Sequence, residues 1–87
     1  NTLPVVRPLI SDSGRGMTVQ YPEGTHLVAF RTAPKGNPWG IGLWESDADA
    51  FAVFIASDNT IARHIVIGGT HATEVLPDGT KRSVTNQ

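Results

Sequence analysis

Ser46-Asp47-Ala48-Asp49-Ala50-Phe51-Ala52-Val53-Phe54-Ile55-Ala56-Ser57-Asp58-Asn59-Thr60-Ile61-Ala62-Arg63-His64-Ile65-Val66-Ile67 is the stretch on which the fold turns. It supports two readings. A serine followed three residues later by an acid is a helix start, and Ala48, Phe51, Ala52 and Ile55 would then share one helical face. The rival is a hairpin in which Phe51 to Ser57 and Thr60 to Ile67 flank Asp58-Asn59, a pair that tolerates left-handed backbone. Phe51, Val53, Phe54, Ile55, Ile61, Ile65, Val66 and Ile67 are β-branched or aromatic, which favours the hairpin. A short helix near 47–56 stays open as the alternative. Apolar side chains fall on both faces of both arms, as in a central pair of strands covered twice, by the rest of the domain or by another chain.

Outward from this stretch, turn signals divide the chain into short pieces. Upstream, Trp39 to Glu45 alternates as one strand, with Trp39, Ile41, Leu43 and Glu45 on one face and Gly40, Gly42 and Trp44 on the other. Glycine inside a strand marks a bulge or a close approach, here of an aromatic ring or a second chain. Pro34 to Pro38 is a loop, Met17 to Tyr21 and Thr25 to Thr32 are strands, and Pro22-Glu23-Gly24 joins them. Residues 1–16 read as an extended arm, an edge strand at best because Pro4 and Pro8 lack a ladder donor, followed by a flexible loop at Ser11 to Gly16. Downstream, Gly68-Gly69 breaks the run, Thr70 to Leu76 and Thr80 to Thr85 are strands, and Pro77-Asp78-Gly79 turns between them. About seven short strands with a turn every eight to twelve residues describe an all-β fold, a small antiparallel sandwich or barrel occupying 1–87 as a single domain.

The composition narrows function mainly by exclusion. The chain has 87 residues, no cysteine, seven Lys+Arg, eight Asp+Glu and a formal net charge of −1, so it offers neither thiolate chemistry nor the basic face of a nucleic-acid platform. With 39% hydrophobic residues it is not disordered, and no apolar run reaches the length of a membrane span. Charged residues are 17% of the chain, and a surface poor in charge fits a domain with a neighbour to pack against. The start at Asn1 points the same way, to a trimmed chain or a domain of a longer one.

Few residues suggest chemistry. Trp39 and Trp44, on opposite faces of one strand, do not both easily enter a small core: either both pack inside, or one is left for a loop, a partner chain or a ligand, and tryptophan is a strong binding residue. With Arg31, Lys35 and Asn37 nearby in sequence, they form the candidate ligand-binding set. Arg63 across the hairpin from Phe54 would make a cation–π pair. His26, His64 and His71 lack local metal spacing. His64 reads as a packed histidine, and His26, beside a turn, is the one suited to an axial ion shared by three chains. Glu45, Asp47 and Asp49 could face one side of a strand, but a calcium loop needs more oxygens and a glycine at the bend, so a solvated loop is favoured. No nucleophile elbow, acid/base pair or phosphate cradle is evident, so the expectation is a non-enzymatic protein without cofactor or metal.

Two segments share an apolar-Pro-acid-Gly-Thr pattern, Tyr21-Pro22-Glu23-Gly24-Thr25 and Leu76-Pro77-Asp78-Gly79-Thr80, which good turn chemistry alone explains. The wider context of the first, Gly14-Arg15-Gly16-Met17-Thr18-Val19-Gln20-Tyr21-Pro22-Glu23-Gly24-Thr25-His26-Leu27-Val28, resembles a stretch of the tail-fibre proteins of tailed bacteriophages. The resemblance spans about fifteen residues. It implies a small β-rich distal domain, a homotrimer, attachment to a cell-surface glycan or protein receptor, and a virion or extracellular location. The alternative is a small protein-binding module, an inhibitor or adaptor, that is monomeric or dimeric. Neither reading involves nucleic acid or membrane insertion.

Overall fold

The computed structural model describes residues 3–34 and 37–86. These residues form nine strands and no helix: β1 (Val5–Ile10), β2 (Gly14–Tyr21), β3 (Gly24–Arg31), β4 (Trp39–Ile41), β5 (Trp44–Ser46), β6 (Ala50–Ala56), β7 (Ile61–Ile67), β8 (His71–Val75) and β9 (Lys81–Thr85). They make two antiparallel sheets packed as a sandwich. Sheet A has five strands in the order β1-β2-β3-β6-β7, and sheet B has four in the order β4-β5-β8-β9.

The deciding stretch is a hairpin. β6 and β7 pair from Ala50↔Ile67 to Ile55↔Ile61, with a bulge between Phe54 and Ile55. The helix-start signal fails because its polar groups find partners on neighbouring strands and in the local turn. Ser46 Oγ donates to the His71 carbonyl at 2.6 Å and accepts from the Ala48 amide at 2.9 Å. Asp49 is claimed by Arg31. The hairpin is not a central pair: β7 is the edge strand of sheet A. Its turn repeats a motif found elsewhere in the chain. Asp58 Oδ1 accepts from the Thr60 amide and hydroxyl at 3.1 and 2.6 Å, and Asp78 Oδ1 does the same for Thr80 at 2.9 and 2.6 Å. Asn59 and Gly79, the residues between, have φ of 71° and 91°. The conformational twin of the Pro77-Asp78-Gly79 turn is therefore Ser57-Asp58-Asn59. The Pro22-Glu23 turn differs, because Gly24 already pairs with Tyr21 in the ladder.

Two further expectations are corrected. Trp39 to Glu45 is not one strand but two, reversed at Gly42-Leu43, with Gly42 at φ 57° in the first central position of a two-residue hairpin loop. The reversal sets Ile41 opposite Trp44 and Trp39 opposite Ser46, so both tryptophans share one face. The ring that lies over a glycine is Trp39, and the glycine is Gly14. A Cβ there would sit 2.5 Å from the indole Cζ3. Gly14 to Gly16, expected as loop, opens β2, and Val5 to Ile10 pairs with β2 as the edge strand β1.

The core lies between the sheets. Sheet A contributes Leu27, Ala29, Phe51, Val53 and Val66, sheet B contributes Trp39, Ile41, Trp44, Ala72 and Val84, and Ala48 enters from the connection between β5 and β6. Phe51 is the hinge of the packing, 5.7 Å from the Trp39 ring and 5.5 Å from the Trp44 ring. The Trp39 indole N–H donates to the Ala48 carbonyl at 2.7 Å, so the buried polar edge is satisfied. Glu74, almost buried, is paired with the partly exposed Arg82 at 2.5 Å.

Candidate functional site

The residues expected to bind a ligand do not form one surface. Trp39 and Trp44 are 3% and 4% exposed and belong to the core, which leaves almost no indole area for a ligand. Arg31 donates through Nε to Asp49 at 2.8 Å and through Nη1 to the Ala33 carbonyl at 2.7 Å, so its guanidinium anchors the connection that carries Ala48 into the core. Asn37 is exposed, and Lys35 lies outside the described residues. The cation–π pair is present, with Arg63 4.9 Å from the Phe54 ring centroid.

The acids are structural in their contacts. Asp47 accepts from the Thr70 amide, the Thr70 hydroxyl and the His71 amide, which ties the β5–β6 connection to the start of β8. These bonds, with the nearby His71 ring, lower its pKa from 3.8 to about 2. The Thr60 and Thr80 bonds likewise hold Asp58 and Asp78 below the usual carboxylate range. Among the described residues no three histidines, aspartates or glutamates converge as metal ligands. His26 instead packs in an aromatic row, 5.5 Å from the Tyr21 ring and 4.5 Å from the Phe54 ring.

That row belongs to the feature the sequence reading localised least well. The outer face of sheet A is apolar from edge to edge. The registers place Pro8, Met17, Val28, Ala52 and Ile65 in one row across all five strands. On one side lies the row Ile10, Arg15, Phe30, Ala50 and Ile67, and on the other the row Val6, Val19, His26, Phe54 and Arg63. Val6, Ile10, Met17, Tyr21, Val28, Phe30, Ile65 and Ile67 are all exposed, between 38% and 72%. Arg15 and Arg63 are the charged residues of these rows, and both are engaged within the chain. Arg15 donates to the Ser11 and Gly14 carbonyls, and Arg63 covers Phe54.

The outer face of sheet B is the opposite case. Its rows carry Glu45, Thr73 and Ser83, and His71, Thr85 and Lys81 flank them. The signal for the apolar face was in the sequence, in the apolar residues on both sides of β6 and β7. Its extension over β1, β2 and β3 required the register.

Comparison with known proteins finds no matching family model, no matching curated protein and no matching solved structure.

Proposed function

We propose that this chain is a non-enzymatic assembly and binding domain that works as a homo-oligomer, with the outer face of sheet A as the surface on which copies meet. The observation that carries the reading is the exposure of eight large apolar side chains on that one face. Monomeric soluble proteins rarely expose a contiguous apolar patch of more than a few hundred Å². Five strands about 4.8 Å apart, each about seven residues long at about 3.3 Å per residue, span roughly 550 Å² in projection. The accessible surface of such a corrugated face is larger than its projection, which brings it near the roughly 800 Å² per partner of a stable interface.

A second copy is the occupant that fits. The face carries no acid, and its two arginines are already engaged, so it has no charge pattern to select a different protein. The central row of the face, Pro8, Met17, Val28, Ala52 and Ile65, carries no charge, so copies can meet there without stranding one. The resemblance of Gly14 to Val28 to tail-fibre proteins supports three copies and a role in receptor attachment at a cell surface, in a virion or extracellular setting. Sedimentation equilibrium tests the reading: the expected mass is a small multiple of 9.3 kDa, three for a trimer. A mass of one chain at concentrations far above micromolar overturns the self-assembly, and a partner-dependent shift in that case would favour the small protein-binding module.

A further inference from the structure

Two hairpin tips meet at one end of sheet A. The Ser57 amide donates to the Glu23 carbonyl at 3.0 Å, which clips the β6–β7 turn to the β2–β3 turn. Gly24 permits the approach. Its φ is 152°, and a Cβ there would lie 2.3 Å from the Ile55 carbonyl oxygen. Arg82, reaching from β9, donates to the Asn59 carbonyl and lies 3.4 Å from its side-chain oxygen, which fixes the second turn against sheet B. Between the tips is a cleft of about 320 Å³, at the small end of the range of about 300–1,000 Å³ seen for small-molecule sites.

The lining has a specific chemistry. Gln20, Thr25, Ser57 and Asn59 supply two amides and two hydroxyls, and Tyr21 and Ile55 supply an aromatic ring and an aliphatic wall. Among the described residues, the side-chain polar groups of Gln20, Thr25 and Ser57 have no partner within the chain. No charged side chain lines the cleft. Amides and hydroxyls both donate and accept, which matches a ligand whose every polar group does the same. The Tyr21 and Ile55 surfaces suit a C–H face. Arg82, which reaches Asn59 from outside the lining, is already paired with Glu74, so the lining offers a phosphate or carboxylate no cation.

We infer that this cleft is a binding site for a neutral saccharide, one or two rings in size. The inference deepens the binding half of the proposed function and does not depend on which face the copies use. The test is titration of the full-length ¹⁵N-labelled protein with the methyl glycosides of glucose, galactose, mannose and N-acetylglucosamine. Saturable amide shifts are expected for at least one of them, centred on Thr25, Ser57 and Asn59. Ser57→Ala, at an exposed position, and Asn59→Gly, which keeps the left-handed backbone, should each weaken that sugar by roughly tenfold. Thr32→Ala, at the far end of β3, should leave the affinity unchanged. Absence of saturable shifts with all four sugars overturns the assignment, and so does binding that neither cleft variant weakens. The mass of the same samples by light scattering reports separately on self-assembly, so failure of one reading is distinguishable from failure of the other.

Discussion

The two outer faces of this sandwich were built from the same kind of strand and have opposite chemistry. Sheet B shows water a mixture of hydroxyls and charges, led by Glu45, Thr73, Lys81 and Ser83. Sheet A shows it methionine, valine, isoleucine and phenylalanine. Solvation alone explains the first face. It cannot explain the second, since antiparallel sheets facing water normally alternate apolar-in and polar-out. Sheet A therefore has two apolar faces and one covering layer within the chain. The difference assigns the fold to the inner face of sheet A and leaves its outer face as the surface proposed for assembly, and substitutions on the two faces should separate those roles.

The largest effect is expected on the inner face. Phe51→Ala removes the ring between Trp39 and Trp44 and should cost about 3–5 kcal/mol. For a domain this small that is most of its stability, so loss of the cooperative thermal transition by circular dichroism is the expected outcome. Phe30→Ala removes the same ring from the outer face, where the side chain is 48% exposed. It should leave the fold of the individual chain within about 0.5 kcal/mol and weaken association, read as a lower mass at a given concentration. Equal melting losses for the two variants would erase the distinction between the faces.

Next comes the ion pair between Arg82 and the nearly buried Glu74. Arg82→Ala leaves Glu74, which is 7% exposed, without its partner and frees the Asn59 turn. A loss of about 3 kcal/mol in urea unfolding is expected. Smaller still is the contribution of Asp47. Its folded pKa lies below the ordinary value of 3.8, at about 2. Its stabilisation is therefore complete above 3.8 and is lost as the pH falls towards 2. Asp47→Asn should cost about 1 kcal/mol near neutral pH and should flatten the acid dependence of unfolding, because the wild-type chain then loses more between about pH 5 and pH 2 than the variant does. The smallest effect belongs to the polar face of sheet B, where Ser83→Lys should change neither stability nor mass beyond error.

Much of this fold could be read from the residues, and the places where reading failed share one physical cause. β-branched and aromatic enrichment decided β6 and β7 correctly, with Phe51, Val53 and Val66 turned into the core and Phe54, Ile65 and Ile67 on the outer face. The split of Trp39 to Glu45 was missed because strict alternation fits one strand or two. What decides it is the positive φ of Gly42, a tertiary fact as much as a local one. That one reversal moved both tryptophans into the core and removed the basis for grouping them with Arg31 and Asn37. The helix signal at Ser46 misled for a similar reason, since Asp47 and Asp49 serve partners at Thr70 and Arg31 that are distant in sequence. The apolar outer face was half legible. Both-sided apolar patterning is visible in one hairpin, but rows across five strands exist only once the register is set.

The central claim is that copies of this chain meet on the outer face of sheet A. The most direct test is sedimentation equilibrium of the wild-type chain beside Val28→Lys/Ile65→Lys, two substitutions in the central row of that face. The wild type should sediment as an oligomer whose melting temperature rises with protein concentration. The double variant should be a folded monomer of unchanged circular dichroism whose melting temperature does not depend on concentration. A wild-type chain that is monomeric, or a double variant that keeps the oligomeric mass, would contradict the account.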